Sequence, residues 1–582
     1  MSLRFVYGAS GSGKTNYIFN DVIEKSKDLS SDYIMIVPEQ FTMETQKDIV
    51  TKHPCGGAVN IDILSFERFA FNVFNELFIN VGSVLDDTGK NLVLRKVIEH
   101  EKNHLQIFGN KSSKEGFTSE MKSLISEFYQ YGIGEDEIDR ILSMNDVSPL
   151  LKGKISDVKH IFEAFKKEIG RDYLPSEELL RVLCDNISDS EIVKKSEFYF
   201  DGFTGFTPVQ YRLIGHIMKY AKKVTISVTL PSYKANDTKQ KEQDLFLMSI
   251  KTRNVLMNEA LMSKVIVEDA VCMDDENPIR YKESKALSHL EKNLFRFKKQ
   301  SFDEEQDDVK ILEFATMNDE ISSVAGTIKS LVMDEGYRYK DIAIVTADID
   351  EYHKLIENTL TKADIPFFID NKRNITDNPF VDSIKSMLEI VTSNFSYESL
   401  FRFLRRGMTG IKTEEIDKLE NAVLAMGIRG FDGYNREWSK SSEEVNQVRE
   451  KIVNIFSDIY AKLSRKNVTV SEITMAIYEF IESLNMNDII NSYAEKFQLD
   501  NELALAKEYS QIYRLVMELF EKITALMGNE RISLKEYADI LDAGFEEIKV
   551  GIIPPSPDCV LAGDIERTRL NNIKALFFCG CE

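Results

Sequence analysis

Basic side chains are in deficit. The 582 residues hold 73 Lys and Arg against 95 Asp and Glu, a formal net charge of −22. That balance excludes a protein whose whole surface coats nucleic acid, so any contact with DNA has to be local. With only 12 prolines and 28 glycines, collagen-like and linker-dominated architectures are excluded as well. Apolar runs such as Tyr33–Val37 and Ala575–Phe578 are far too short to cross a bilayer, and no membrane partner is expected. Met1-Ser2-Leu3-Arg4 leads straight into a strand-like stretch, so no signal peptide is expected. The six cysteines are too few for a disulfide scaffold. Cys55, Cys184 and Cys272 stand alone, and Cys559, Cys579 and Cys581 have no histidine beside them to complete a four-ligand metal site. They are expected to be reduced, buried, inert thiols of a cytoplasmic protein. Hydrophobic content of 43% and charged content of 29% are those of a globular chain, and its length suits roughly three to five domains.

The strongest local signal comes at the start. Leu3-Arg4-Phe5-Val6-Tyr7 alternates like a short strand and runs into Gly8-Ala9-Ser10-Gly11-Ser12-Gly13-Lys14-Thr15, a full G-x-x-x-x-G-K-T match. A helical pattern follows, with Tyr17, Ile18, Val22 and Ile23 on one face. Strand, loop and helix stand in the order that phosphate binding requires. The glycines let backbone N–H groups curl around an anion, and the helix adds its positive end. Lys14 is placed to reach the β and γ phosphates, and the Thr15 hydroxyl to ligate Mg²⁺. ATP and Mg²⁺ are the expected ligands.

Two more buried parallel strands are predicted, Tyr33–Val37 and Val59–Leu64. In doubly wound sheets ligands bind beyond the carboxyl ends of the strands. Those ends carry Pro38-Glu39-Gln40-Phe41-Thr42 and Ser65-Phe66-Glu67-Arg68-Phe69. Gln40 and Thr42 suit base edges, Arg68 a phosphate or base, and Phe66, Phe69 or Phe71 a stacked base of single-stranded DNA. The competing reading makes the phenylalanines core and Arg68 a surface charge.

Glu197–Phe200 is an apolar strand that ends in Asp201, the form of a Walker B carboxylate holding the magnesium hydration shell. The long stretch from Lys14 to Asp201 exceeds what one simple layer needs, so a domain is inserted there. It reads as helical: Met121, Leu124, Ile125 and Phe128 recur at helical spacing, as do Val158, Ile161, Phe162, Phe165 and Ile169. A motor ATPase of this class has a Glu directly after the Walker B Asp to activate water, but here that residue is Gly202. Glu197 is no substitute. Four residues of strand is about 13 Å, and a general base works within about 3 Å of its water. The pattern predicts a nucleotide site that binds but hydrolyses poorly.

The chain resembles the AddB (RexB) family, the non-motor partners of AddA in bacterial AddAB helicase–nucleases. The stretches that carry the resemblance are Gly8–Thr15, Pro38–Thr42, Leu64–Ala70, Asp201-Gly202-Phe203-Thr204-Gly205-Phe206-Thr207-Pro208, Gly336–Ile342, Ile365–Asp370 and Gly563–Arg569. The resemblance implies an α/β fold of two RecA-like P-loop NTPase layers, superfamily I helicase-like, each with a helical inserted domain. It implies AddA as the active motor and partner, and for this chain a motor-inactive role in double-strand-break resection and recombinational repair: gripping single-stranded DNA and recognising Chi. By motif position Gln40 and Thr42 fall on one DNA-contacting loop, Phe66, Arg68 and Phe71 on the next, and Phe203 just beyond the Walker B strand. Phe71 stands where an indole is usual. Val224–Val228 is followed by Thr229-Leu230-Pro231 rather than the sensor of active helicases. The family's C-terminal RecB-type nuclease domain, with its four-cysteine iron–sulfur cluster, has no counterpart in this stretch. An active superfamily I DNA-dependent ATPase and a non-catalytic scaffold for AddA are the competing functions.

Expected boundaries follow. The first RecA-like layer takes residues 1–70 and 196–300, around a helical insert at 71–195. The second takes 301–388, opening on a strand at Val309–Phe314, and 548–582, where the chain re-enters the sheet after Ile552-Ile553-Pro554-Pro555; a second helical insert fills 389–547. Arg402, Arg405 and Arg406 form a basic cluster that suits either DNA phosphates or a solvated face.

Overall fold

Along Ser2–Gly8 (β1), Leu3, Phe5 and Tyr7 are buried on one side and Val6 on the other. A strand covered on both faces belongs inside a parallel sheet, and that is its place in the computed structural model of the chain. The structure describes all residues except 58, 110–115, 145, 171, 238–241, 275–277, 297–299, 371–372, 466, 501, 551–557, 567, 569, 571 and 582. The expected re-entry at Ile552–Pro555 and the arginines Arg567 and Arg569 lie outside the described residues. Two compact units form, one from residues 1–86 with 97–312 and the other from 87–96 with 313–582.

In the first unit the strands are β1, β2 (Asp32–Ile36), β3 (Ile61–Leu64), β4 (Ser83–Leu85), β5 (Tyr173–Pro175), β6 (Ser196–Phe200), β7 (Lys223–Thr229), β8 (Ile266–Val267) and β9 (Val271–Cys272). The main sheet runs β3-β2-β6-β7-β1-β8, with β9 also on β1, and every pairing is parallel. β7 therefore separates the strand of the glycine-rich loop from the strand that ends at Asp201, in a register that aligns Phe5, Ile226 and Phe200. β3 is shorter than the predicted Val59–Leu64.

Helices cover both faces. One face receives Ile18, Phe19, Val22 and Ile23 of α1 (Lys14–Lys25) and Ile49 of α2 (Thr42–Lys52). The other receives α3 (Phe66–Glu76) and the helices Pro208–Tyr220 and Leu247–Met262. Between β3 and β6 run α4 (Asp87–Glu101), α5 (Phe117–Tyr131), α6 (Glu135–Ser143) and α7 (Pro149–Ile169). The predicted face of α7 is buried at every position, whereas on α5 only Met121 and Ile125 are buried, with Leu124 and Phe128 half-buried. The first ten residues of α4 group with the second unit, so the stretch 71–195 is divided between the two.

The second unit has a parallel sheet of β10 (Ile342–Thr346), β11 (Phe367–Ile369), β14 (Val560–Asp564) and β15 (Ala575–Cys579), in the order β11-β14-β10-β15; β12 (Arg373–Asn374) and β13 (Lys549–Val550) form a separate antiparallel pair. Helices from Pro379–Thr392 to Leu534–Glu547 enclose one large apolar core, which includes the predicted Val448, Ile452, Phe456, Ile473, Ile477, Phe480, Ile512 and Val516. Val309–Phe314 is not the strand its composition predicts. Ile311 is 94% exposed and Leu312 65%, and no ladder joins the segment among the described residues. Strand propensity expresses packing against neighbours, and without a neighbouring ladder it forms no strand.

The three arginines on and after helix Tyr397–Leu404 are committed to carboxylates. Arg402 pairs with Asp382 and Glu389, Arg405 with Asp417 and Glu420, and Arg406 with Asp382. Asp382 is 5% exposed. Burial disfavours its charge, but the hydrogen bonds and charges of Arg402 and Arg406 outweigh that and hold its carboxyl below the ordinary carboxylate value. A lowered folded-state pKa contributes stability above the unfolded value near 3.9 and loses it as pH falls through the folded one. Asp382→Asn is accordingly expected to cost about 1–3 kcal/mol at neutral pH. Urea unfolding at pH 7 and at acid pH checks this: the gap to the wild type should close on acidification.

Candidate functional site

The glycine-rich loop bridges β1 and α1 with two left-handed residues, Gly11 at φ 76° and Gly13 at φ 98°. Gly13 is the N-cap of α1; no side chain caps this helix start and no acidic residue lies in its first turn. A bare helix N-terminus without a competing carboxylate suits an anion. The Lys14 ammonium donates to the carbonyls of Gly8 and Ala9 at 3.0 and 2.9 Å, and the buried Ser12 hydroxyl donates to Ala9 O at 2.9 Å. Ser10 is exposed and Thr15 half-buried. The loop is closely packed: a Cβ at Gly8 would meet Ser12 Oγ at 2.3 Å, and one at Gly13 would meet Ile279 Cδ1 at 2.7 Å. These residues fit a triphosphate. The loop and Lys14 would hold the phosphates, Thr15 and Asp201 would hold Mg²⁺, and the bound cation would neutralise phosphate charge.

Two features of this site escape a reading of the sequence. One is the short turn Ile279–Tyr281, which lies against the loop, with the Arg280 amide donating to Gly11 O at 3.1 Å; no periodicity marks it. The other is Ser227, which sits on β7 between the two motif strands and donates through Oγ to Asp201 Oδ1 at 2.5 Å. Asp201 is 4% exposed, and its amide donates to Ile36 O at 3.2 Å.

The next residue explains the missing glutamate in backbone terms. Gly202 has φ +81°, and a Cβ there would point at Pro38 Cδ (3.5 Å) and Phe41 Cδ2 (3.7 Å), the loop after β2. β2 lies on the opposite side of β6 from β7 and β1. A side chain at 202 thus starts away from the phosphate loop on a backbone that L residues avoid. Glu197, near the start of β6, accepts from Lys25 Nζ at 3.0 Å and is committed to that pair.

The loops after β2 and β3 divide their residues. Gln40 and Arg68 are exposed and Phe71 is half-buried, its ring 6.4 Å from Phe74. Thr42 is buried, and its hydroxyl donates to Glu39 O at 2.8 Å, shaping the turn rather than facing outward. Phe66, expected to stack on a base, is 7% exposed and packs on Phe200, Phe203 and Phe206 at 6.0, 5.5 and 6.3 Å between ring centroids. Phe69 is fully buried against Phe198. Ser65 caps α3 by accepting from the Arg68 amide; this places Phe66 and Phe69 on the inward stripe and Arg68 outside it. Phe203 is half-buried and lies 4.8 Å from Phe206. Glu39 and Glu67 flank these residues; burial, with the Glu39 charge adding, pushes the Glu67 carboxyl above its ordinary value.

The thiols divide too. Cys184 and Cys579 are buried, and burial pushes them up to about 11 and about 12, whereas Cys55, Cys272 and Cys581 are exposed, contrary to the expectation that all six are buried. Among the described residues no helix is long and apolar enough to cross a membrane.

Known proteins align along the whole chain. The family model described as "ADDB, N-terminal" matches residues 5–291, and the one described as "UvrD-like helicase C-terminal domain" matches residues 279–579. The chain is 44% identical over 595 aligned residues to the AddB-type subunit of the ATP-dependent helicase/deoxyribonuclease of Lachnoclostridium phytofermentans, covering 100% of this chain and 52% of that protein. It is 34% identical to the corresponding subunits from Clostridium novyi and Acetivibrio thermocellus, with 100% of this chain and 51% and 52% of theirs covered. The chain thus spans about half the length of these curated relatives.

Gly202→Glu tests the backbone argument. It is expected to lower stability by about 1–3 kcal/mol, the cost of a left-handed non-glycine residue, without creating ATP turnover. Urea unfolding and phosphate release measure the two effects.

Proposed function

Because the chain belongs to the AddB family of ATP-dependent helicase/deoxyribonuclease subunits, we propose that it is the helicase-like part of such a protein, gripping a DNA strand and binding Mg·ATP without turning it over. In this reading the two parallel sheets are RecA-like layers of superfamily I type, with helical inserts at 71–195 and 389–547. The phosphate loop Gly8–Thr15 holds the nucleotide, and Thr15 and Asp201 hold Mg²⁺. An AddA-type motor supplies translocation, and the strand passing this chain is inspected for Chi. The observation that carries the reading is the pairing of an intact phosphate loop with the left-handed Gly202 directly after Asp201. A general base positions and deprotonates the attacking water, and that position here has no side chain.

Strand contact falls to Gln40, Arg68 and Phe71, with Phe203 at the margin, while Thr42 and Phe66 shape their loops from within. Glu39 and Glu67 beside them disfavour phosphates, so the grip rests on bases and rings more than on the backbone. Equilibrium titration with a fluorescent oligo(dT) across a range of salt concentrations tests this. Arg68→Ala should weaken binding and reduce the log–log salt slope by about 0.7, the value for one single-strand phosphate contact. Phe71→Ala should cost about 1–3 kcal/mol of affinity, the range for one stacked base. Phe66→Ala should instead cost about 3–5 kcal/mol of folding stability. Unchanged DNA affinity in both the Arg68 and Phe71 variants would mark a scaffold and overturn the reading.

A further inference from the structure

Away from the sheet ends, the end of α4 meets α7. Glu101 is the last residue of α4, and His104 follows in the next turn, its amide donating to Glu101 O at 2.8 Å. His160 projects from α7. Both imidazoles converge on a single oxygen, Glu101 Oε2, at 2.8 Å from His104 Nδ1 and 2.7 Å from His160 Nε2, and their ring centroids stand 6.0 Å apart. One ligand atom from each of the three lies within 4.8 Å of the others.

The arrangement is built, not incidental. One turn before His160, the buried Asp157 accepts the backbone N–H groups of Gln106, Ile107 and Phe108 at 2.8, 2.7 and 2.9 Å. Gly153 lets Ile107 approach closely, since a Cβ there would meet Ile107 Cγ1 at 2.9 Å. The turn carrying His104 is thereby pinned to α7. The neighbouring cations are occupied: Lys102 pairs with Glu99, and Lys159 with Asp139.

We propose that Glu101, His104 and His160 form a binding site for a divalent transition cation of the zinc class, with two imidazoles and one carboxylate as protein ligands and solvent completing the shell. Imidazole and carboxylate together suit Zn²⁺ and Co²⁺ rather than Mg²⁺ or Ca²⁺, which prefer all-oxygen sets. The bound ion replaces the hydrogen bonds to Glu101 and fastens the end of α4 to α7.

The test uses the full chain with the exposed Cys55, Cys272 and Cys581 changed to Ser, so that thiolates contribute nothing. Titration with Co²⁺, followed by visible absorption, and with Zn²⁺, followed by calorimetry, should show one equivalent bound with a nitrogen–oxygen spectrum, and Zn²⁺ should raise the melting temperature. The double variant His104→Ala/His160→Ala, whose altered side chains are largely exposed, should lose at least about tenfold in affinity along with the thermal shift. Glu101→Gln should weaken binding with circular dichroism unchanged. Absence of a bound equivalent, or undiminished affinity in a folded double variant, overturns the site.

Discussion

One hydrogen bond ties the nucleotide cradle together. Ser227 lies on the strand between the two motif strands and donates to the carboxylate of Asp201, which is buried at the end of β6. A carboxylate out of water needs such a partner. The bond fixes where Asp201 stands relative to the loop on β1, and the chain then leaves β6 through a left-handed glycine. The order β6-β7-β1 thus keeps the phosphate loop and the Walker B carboxylate in a fixed relation. The left-handed turn at 202 removes the side chain that would activate water. Binding and hydrolysis are separate demands on the same strand ends, and this chain retains the residues for the first.

The neighbouring strand ends follow the same logic of division. Each loop has residues that hold its shape and residues left outside. Ser65 caps α3 and turns Phe66 and Phe69 inward, so Arg68 and Phe71 are what the loop presents. Thr42 closes its own turn on Glu39, leaving Gln40 exposed. Nearby carboxylates and the net charge of −22 limit indiscriminate attraction to polynucleotide. A surface of this kind favours contact with bases and suits a protein that reads a strand delivered to it by a motor.

The phosphate loop was legible because its chemistry is local: backbone conformation, helix start and lysine fall within eight consecutive residues. The buried strands and the helical faces of residues 149–169 and 443–483 were legible through their periodicity. What could not be read depends on partners distant in sequence. Phe66 reads equally well as a stacking ring or as core until Phe200, Phe203 and Phe206 are seen around it. Val309–Phe314 has the composition of a strand and lacks a ladder among the described residues. Arg402, Arg405 and Arg406 look like a basic cluster in the linear sequence, but Asp382, Asp417 and Glu420 neutralise them from other helices. Ser227 carries no motif, and its role arises only from strand order.

The most direct measurement is of the fate of the nucleotide itself. The chain is incubated with Mg²⁺, γ-labelled ATP and single-stranded DNA, and the nucleotide that remains bound is recovered and identified. Recovery of intact ATP is expected, with phosphate released at the rate of a Lys14→Ala variant that retains no nucleotide. DNA-stimulated phosphate release that disappears in Lys14→Ala would contradict a cradle that binds without turnover.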